Sequence, residues 1–137
     1  DARVVAAVDG TDRDGGLVAV ALGWAAQLGR RLEIVTVAEA GRARPGEDRA
    51  WGPAEPESYV ASLAARCKGS GVDVGTQVAY DPVGAPAGLV PRLDGLAALV
   101  VVGSRPRRAR TVLGSNATHI VHDAPVPALA VPSPPAR

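Results

Sequence analysis

Residues 3–37 read RVVAAVDGTDRDGGLVAVALGWAAQLGRRLEIVTV, and this stretch decides the fold class. Residues 3–8 are a short, mainly apolar run, as expected for a parallel strand covered on both faces. A helix follows, which Thr11 or Asp12 can cap and Gly29 can end. Its apolar residues recur at helical spacing and predict a core-facing side that includes Trp24: Leu17, Val20, Ala21, Trp24, Ala25 and Leu28. A second strand at residues 32–37 completes a right-handed β-α-β unit with two parallel strands.

Beyond this unit the alternation of helix and strand continues. The elements predicted next are a surface loop at 39–57, a helix from Pro56 or Glu57 to Arg66 closed by Gly69 and Gly71, an exposed edge strand at 72–80, and a short or Pro91-kinked helix at 83–95. The most apolar stretch, residues 96–102, predicts a central strand that Gly103 and Ser104 end. An arginine-rich loop should follow it.

A last helix and a last strand complete the chain. The helix must end by Ala124 because Pro125 follows it, and the strand is predicted at residues 126–131. Pro127 cannot donate a hydrogen bond to a central ladder, so this strand should lie at an edge or begin pairing after residue 127. The sequence therefore predicts one α/β domain over residues 1–137, with five strands and about four helices in an open, doubly wound sheet.

Composition limits the classes of function. Hydrophobic residues make up 47% and charged residues 21%, which is typical of a globular protein, and the net charge of +1 argues against nucleic acid as a partner. No apolar run has the length of a membrane span. The single cysteine, Cys67, cannot form an intrachain disulfide, so we expect a packing residue in a cytoplasmic protein.

Candidate binding residues follow from the fold class. In open α/β sheets, ligands bind beyond the carboxyl ends of the strands, where the strand order reverses. Glycines there let backbone approach a phosphate, and a helix N-terminus binds anions. The residues at these positions are Asp9, Gly10 and Thr11 after the first strand, Val37 after the second, Gly103, Ser104 and Arg105 after the fourth, and Gly114, Ser115 and Asn116 before the last helix.

Other site chemistry finds little support in the sequence. The only lysine, Lys68, lies in Cys-Lys-Gly, so a Gly-Lys-Ser/Thr phosphate loop is absent. Gly10, Gly15 and Gly16 do not have the spacing of a dinucleotide-binding loop. His119 and His122 share a helix but lack a third ligand with metal spacing, so we interpret them as helix-surface residues. No nucleophile, histidine and acid occur in a recognisable order, and enzymatic catalysis is not expected.

Four segments together resemble the universal stress protein family. They are the strand with Asp9-Gly10-Thr11, the helix ending in WAAQL, VVVGSR at 100–105, and LGSNATHIVHDAPVPALAV at 113–131. The resemblance covers essentially the whole chain, and the last forty residues are its most specific part. It implies a five-stranded parallel sheet in the order 3-2-1-4-5, a homodimer formed through the last strand, here residues 126–131, and, in one branch, bound ATP.

The ATP-binding branch has Gly-x-x-Gly, nine residues, and then Gly-Ser or Gly-Thr. Gly103 matches the first glycine and Gly114-Ser115 match the final pair, whereas Pro106 replaces the second glycine and the interval is two residues shorter. The resemblance also implies that Asp9 lies at the adenosine end of the site and that the backbone of Val37 meets the adenine ring. Arg105, Arg107 and Arg108 are the residues that would replace lost backbone contacts to phosphate.

Three hypotheses follow. The first is a stress-response binding protein that responds to ATP or AMP, with Asp9 as the residue that would meet magnesium carried by the nucleotide. The second is a dimeric scaffold of the same fold without nucleotide binding, and the third is a weak nucleotide hydrolase that uses Asp9.

Overall fold

The computed structural model describes residues 2–8, 14–38, 55–80, 97–107, 110–112 and 127–132. The elements in chain order are β1 (Arg3–Val8), α1 (Asp14–Leu28), β2 (Leu32–Ala38), α2 (Glu55–Ala65), β3 (Val74–Tyr80), β4 (Ala97–Arg107), β5 (Arg110–Val112) and β6 (Ala128–Pro132). The helices predicted at 83–95 and before Ala124, and most of the loop predicted at 39–57, lie outside the described residues. No helix in the described ranges is long and apolar enough to cross a bilayer.

Five of these strands form a parallel sheet in the order β3-β2-β1-β4-β6. This confirms the predicted order 3-2-1-4-5, with β6 as the fifth parallel strand. The sixth strand, β5, pairs antiparallel with the last residues of β4. The β1-α1-β2 and β2-α2-β3 units step in the same direction across the sheet, so right-handed crossovers place both helices on one face.

The core between the sheet and these two helices is built from aliphatic side chains. Alternate residues of β1 point toward the helices, and Val4 and Ala6 are fully buried there. The helix residues that meet them, all buried, are Leu17, Val18, Ala21 and Ala25 of α1 and Val60 and Leu63 of α2. Each fully buried valine or leucine stabilises the fold by about 1.5–3 kcal/mol relative to an exposed one, so this face supplies much of the driving force.

The end of α1 is set by Gly29, as the sequence predicts. Gly29 has a φ of 65°, a left-handed conformation that favours glycine. Its amide donates to the carbonyl of Ala26 at 3.3 Å, and the amide of Arg30 donates to Ala25 at 2.9 Å. These two bonds form a Schellman motif that satisfies carbonyls left open at the helix end. The chain therefore turns directly into β2.

The edges of the parallel sheet are β3 and β6, as predicted for both segments. β3 begins at Val74 and not at Val72, because the amide of Val72 donates to the hydroxyl of Ser70 at 3.2 Å. Pro127 precedes β6, and its carbonyl accepts a bond from the Val100 amide at 3.0 Å. Pro127 therefore takes part in the sheet only as an acceptor, and its missing N–H leaves no hydrogen bond unmade at this position.

Two expectations from the sequence are wrong. β4 does not end at Gly103-Ser104 but continues to Arg107, because β6 and then β5 supply partners for the extra residues. Trp24 is not a core residue, since 43% of it is exposed, and Val20 and Leu28 are exposed beside it. Helical spacing predicts a shared side of the helix but not how wide a strip of that side the sheet covers.

Candidate functional site

The carboxyl ends of β1, β2 and β4 lie together at one edge of the sheet. Val8, the last residue of β1, pairs with Thr36 of β2. On the other side of β1, Ala6 pairs with Val101, so Gly103 of β4 is level with Val8 two residues further on. Asp9 follows Val8 directly in the sequence. Three of the four predicted groups of site residues lie on, or directly follow, the strand ends at this edge.

The strand order reverses at this edge, between β1 and β4. The chain leaves β1 for β2 on one side, and it leaves β4 for β6 on the other. Connections that diverge from two adjacent parallel strands open a crevice beyond their carboxyl ends, which is the usual ligand site in doubly wound sheets. The geometry of the described strands thus assigns the candidate site to the β1–β4 boundary.

Gly103 lies in β4 opposite Val131 of β6, on the face that carries α1. A Cβ added at this position would meet Cδ1 of Leu17, in the first turn of α1, at 3.5 Å, which is ordinary van der Waals contact. The fold therefore does not require glycine at residue 103. A small residue at the mouth of the crevice, beside the start of α1, leaves room for backbone to approach a ligand.

Val37 is placed by β2. It pairs with Ala79 of β3, one residue beyond the pairing of Thr36 with Val78. Val37 thus reaches the same edge as Val8 and Gly103, one strand away from the β1–β4 boundary. Its backbone lies at the carboxyl end of β2, on the side of β1 away from β4.

Ser104 and Arg105 lie within β4 and not in a loop. Ser104 pairs with Pro132 of β6, and Arg105 pairs with Val112 of β5. The last three residues of β4 and the three of β5 form an antiparallel ribbon, connected by residues 108 and 109. Half of its six residues are arginine: Arg105, Arg107 and Arg110.

The position of Pro106 determines how this ribbon uses its backbone amides. Pro106 pairs with Thr111, and since proline has no N–H this must be a non-hydrogen-bonded pair of the antiparallel ladder. By alternation, the pairs on either side, Arg105 with Val112 and Arg107 with Arg110, are the hydrogen-bonded ones. Four of the six residues therefore direct their amides to the opposite strand, and these amides are not offered to a phosphate.

Asp14 is a site-edge residue that the sequence reasoning missed. It is the first residue of α1 and only 3% exposed, and the hydroxyl of Tyr59, in α2, donates to its carboxylate. A carboxylate at a helix N-terminus is stabilised by the helix dipole, and an acid in the first turn was the available signal. The bond ties the beginnings of α1 and α2 together at the edge that holds the candidate site.

Six of the predicted site residues cannot be placed from the described ranges: Asp9, Gly10, Thr11, Gly114, Ser115 and Asn116. The same is true of His119 and His122. Among the described residues, no group of three or more His, Cys, Asp or Glu side chains could hold a metal ion. Cys67 is buried, and its thiol lies 3.6 Å from the Leu63 carbonyl, which confirms its interpretation as a packing residue.

Comparison with known proteins adds the family context. The model of the universal stress protein family matches residues 2–132. No curated protein sequence matches the chain. Among solved structures, the universal stress protein from Archaeoglobus fulgidus in complex with dAMP has 20% sequence identity and a TM-score of 0.73 over 95% of this chain and 97% of that one.

Two further structures show the same fold. A universal stress protein in complex with cAMP has 21% identity and a TM-score of 0.69 over 97% of this chain and 98% of that one. A universal stress protein family protein from Arabidopsis thaliana with AMP bound has 13% identity and a TM-score of 0.61 over 98% and 93%. At these identities the likeness establishes the fold.

Proposed function

Since the chain belongs to the universal stress protein family, we propose that it binds an adenine nucleotide, ATP or AMP, at the carboxyl edge of its sheet. The observation that carries the proposal is the reversal of strand order between β1 and β4, with Gly103 level with the end of β1. Three proteins of the same fold were solved with dAMP, cAMP and AMP, and all three ligands contain adenine. They support an adenine nucleotide as the ligand class.

The sequence supplies a role for each part of the crevice. The carboxylate of Asp9, which follows β1, would accept hydrogen bonds from the ribose hydroxyls, and the backbone of Val37 would border the adenine ring. Gly103 would admit the sugar–phosphate part of the nucleotide, and Gly114, Ser115 and Asn116 would donate to its phosphates. The domain over residues 1–137 would be one binding unit.

Phosphate recognition would differ from that of a glycine-rich loop. The amides of Arg105, Arg107, Arg110 and Val112 are directed into the β4–β5 ribbon. Arginines in this ribbon would therefore recognise phosphate through guanidinium groups, which bind phosphate oxygens in a bidentate manner. We expect affinity to depend on ionic strength and to rise from AMP to ATP as the number of phosphate charges increases.

The nucleotide would act as a signal and not as a substrate. No nucleophile or general base is identifiable from the sequence, so we propose a binding protein of stress response that changes a partner surface when loaded. A low rate of phosphate release that disappears in Asp9→Ala would instead favour the weak hydrolase. The cytoplasm is the proposed location.

Isothermal titration with ATP, ADP and AMP, with and without magnesium, tests the proposal. We expect saturable heat with at least one nucleotide and at least a tenfold loss of affinity in Asp9→Ala. The control is Asp73→Asn, which removes an acid from the amino-terminal end of β3, at the opposite edge of the sheet. A wild-type protein that gives no heat with any of the three nucleotides would overturn the proposal.

The dimeric scaffold without nucleotide is the second candidate, and one observation favours it. Pro106 and the paired ribbon leave fewer backbone donors than a glycine-rich phosphate loop offers. Mass spectrometry of protein purified without added ligand separates the two candidates, because copurified adenine nucleotide is incompatible with the scaffold. In either case we propose a homodimer through residues 126–131, where β6 is an edge strand.

A further inference from the structure

The β4–β5 ribbon places its three arginines on one face. Residues directly opposite each other in an antiparallel pair share a face, and successive residues of a strand alternate between the two faces. Arg107 is paired with Arg110, and Arg105 lies two residues before Arg107 on the same strand. All three therefore belong to one face, which we call the arginine face, whereas Pro106 and Thr111 belong to the other.

The arginine face continues the side of the sheet that carries α1. Val101 of β4 belongs to the core beneath the helices, and a Cβ added at Gly103 would meet Leu17 of α1. The ladder between β4 and β6 keeps a regular register through this part of the strand. Arg105 and Arg107 therefore continue the alternate positions of Val101 and Gly103. The mouth of the crevice and the arginine face lie on the same side of β4.

The arginines lie at increasing distances from the crevice. β4 continues for four residues beyond Gly103, which is level with the end of β1. At about 3.4 Å a residue, Arg105 lies roughly 7 Å and Arg107 roughly 14 Å beyond that level. Arg110 is opposite Arg107, so these two lie furthest out. In a nucleotide with its ribose at the crevice, each added phosphate extends the ligand toward this pair.

The residues of the ribbon do not favour its own pairing. Like charges at directly opposite positions destabilise an antiparallel pair, and Arg107 faces Arg110 in this way. The two residues that connect them are Arg108 and Ala109, whereas two-residue hairpin connections favour Gly, Asn or Asp. Residues that oppose their local structure are expected at functional sites. A polyanion beside both arginines replaces their repulsion with attraction.

We propose that Arg107 and Arg110 form a selectivity pair for the phosphates furthest from the ribose, so that the protein binds ATP in preference to AMP. This inference rests on the proposed nucleotide site and assigns to it a ligand with a chain of phosphates. Guanidinium groups donate pairs of hydrogen bonds to phosphate oxygens, and AMP has no phosphate at the distance of the pair. Arg105 is nearer the crevice and contributes to both nucleotides alike.

Isothermal titration with ATP and AMP at fixed ionic strength tests the pair in wild type and in Arg107→Gln/Arg110→Gln. We expect the wild type to bind ATP about tenfold or more tightly than AMP, and the double variant to lose this preference. Its affinity for AMP should change by no more than about twofold, because AMP does not reach the pair.

The matched control for charge is Arg30→Gln/Lys68→Gln. It removes the same two positive charges from exposed positions that follow α1 and α2, at the amino-terminal edge of the sheet. This control should keep the preference for ATP. An equal loss of preference in the control would show a general effect of net charge and contradict the selectivity pair.

Two results distinguish this inference from the proposed function. A wild type that binds both nucleotides, with a preference for ATP that is absent or unchanged in the double variant, overturns the selectivity pair and leaves the nucleotide site standing. An acidic residue of the chain that already neutralises the two arginines would also give this result. A wild type that binds neither nucleotide overturns both.

Arg107→Glu separates binding from folding. A glutamate opposite Arg110 replaces a repulsive pair with an attractive one, so the midpoint of thermal unfolding should rise or stay within about 2 °C of wild type. Affinity for ATP should nevertheless fall about tenfold or more, because a negative charge now faces the phosphates. Wild-type affinity for ATP in Arg107→Glu would overturn the proposal.

Discussion

At the level of single residues, substitution of Gly103 should affect ligand affinity much more than it affects stability. In Gly103→Ala the new methyl group meets Leu17 at an ordinary contact distance, so the free energy of unfolding should change by no more than about 0.5 kcal/mol. If the nucleotide passes between β4 and the start of α1, the methyl group narrows its path, and affinity should fall at least fivefold. Chemical denaturation and isothermal titration measure the two effects. Unchanged affinity would place the ligand elsewhere on the edge.

Cys67 yields a prediction about pH. Burial raises the pKa of its thiol above the ordinary value, because the thiolate is poorly solvated inside the protein. The folded state then holds the proton more tightly than the unfolded state, so the thiol stabilises the fold below its unfolded pKa and loses this contribution as pH rises past it. We expect slow modification by a disulfide reagent at pH 8, and a steeper loss of stability above about pH 9 in wild type than in Cys67→Ala. Rapid modification of the native protein at pH 8 would contradict the burial.

Residue-scale errors of the sequence reasoning have one physical cause. The spacing of Leu17, Ala21 and Ala25 predicts the buried side of α1 correctly, but Trp24 lies on the flank of that side. How far burial extends around a helix depends on neighbours that are distant in sequence. Asp14 was missed for the same reason, because its partner Tyr59 is 45 residues away.

At the scale of elements, the amino-terminal edge of the sheet holds two ion pairs of different burial. Arg3 and Glu33, on adjacent strands β1 and β2, lie 3.2 Å apart with side chains 29% and 11% exposed. Arg31 and Asp73 lie 3.1 Å apart, but their side chains are 51% and 72% exposed. Attraction is strong only where water is excluded, so the first pair should matter more.

This difference is measurable by substituting the acid of each pair. Glu33→Gln should lower the free energy of unfolding by about 2 kcal/mol, since Arg3 loses its counterion and its Nε is already buried without a partner. Asp73→Asn should cost about 0.5 kcal/mol or less. Equal costs in urea denaturation would mean that burial does not distinguish the pairs.

The hydrogen bond from the Tyr59 hydroxyl to Asp14, which joins α2 to α1, can be tested by removing the hydroxyl. In Tyr59→Phe the buried Asp14 carboxylate loses a donor while the ring remains, which should cost about 1.5 kcal/mol. Ser62→Ala, which removes a hydroxyl bonded to the Tyr59 carbonyl at an exposed position of the same helix, should cost about 0.5 kcal/mol or less. A Tyr59→Phe protein as stable as wild type would show that other groups satisfy Asp14.

The bounds of an element are predictable from the sequence where nearby residues determine them, and not where pairing with a distant strand determines them. The bounds of β1 and the stop of α1 at Gly29 follow from an apolar run and a glycine, and the structure confirms both. The sequence predicts a loop where the β4–β5 ribbon lies, because Gly103-Ser104 is expected to end β4. Pro106 is tolerated because its pair with Thr111 needs no N–H, and this depends on register, which single-residue preferences do not contain.

For the whole molecule, the order of the sheet followed from the family resemblance, whereas the alternation of elements followed from the residues alone. The location of the candidate site was predictable, because the carboxyl ends of the strands and the reversal of strand order define it. Its chemistry was less so, because the pairing that directs four amides of the β4–β5 ribbon to the opposite strand depends on register, which the sequence does not contain.

The proposed dimer through residues 126–131 belongs to this scale. An edge strand with an unpaired row of backbone groups favours pairing with a second copy. Sedimentation velocity at about 10 μM should give twice the chain mass of 13.9 kDa. A single 13.9 kDa species would contradict the β6 contact.

The bond between Tyr59 and Asp14 has a mechanical consequence. It joins the beginning of α1 to α2 at the border of the crevice, and both helices pack on the same face of the sheet. Moving the start of α1 alone would break this bond at a cost of about 1.5 kcal/mol. A displacement at the border of the crevice therefore favours movement of α1 and α2 together.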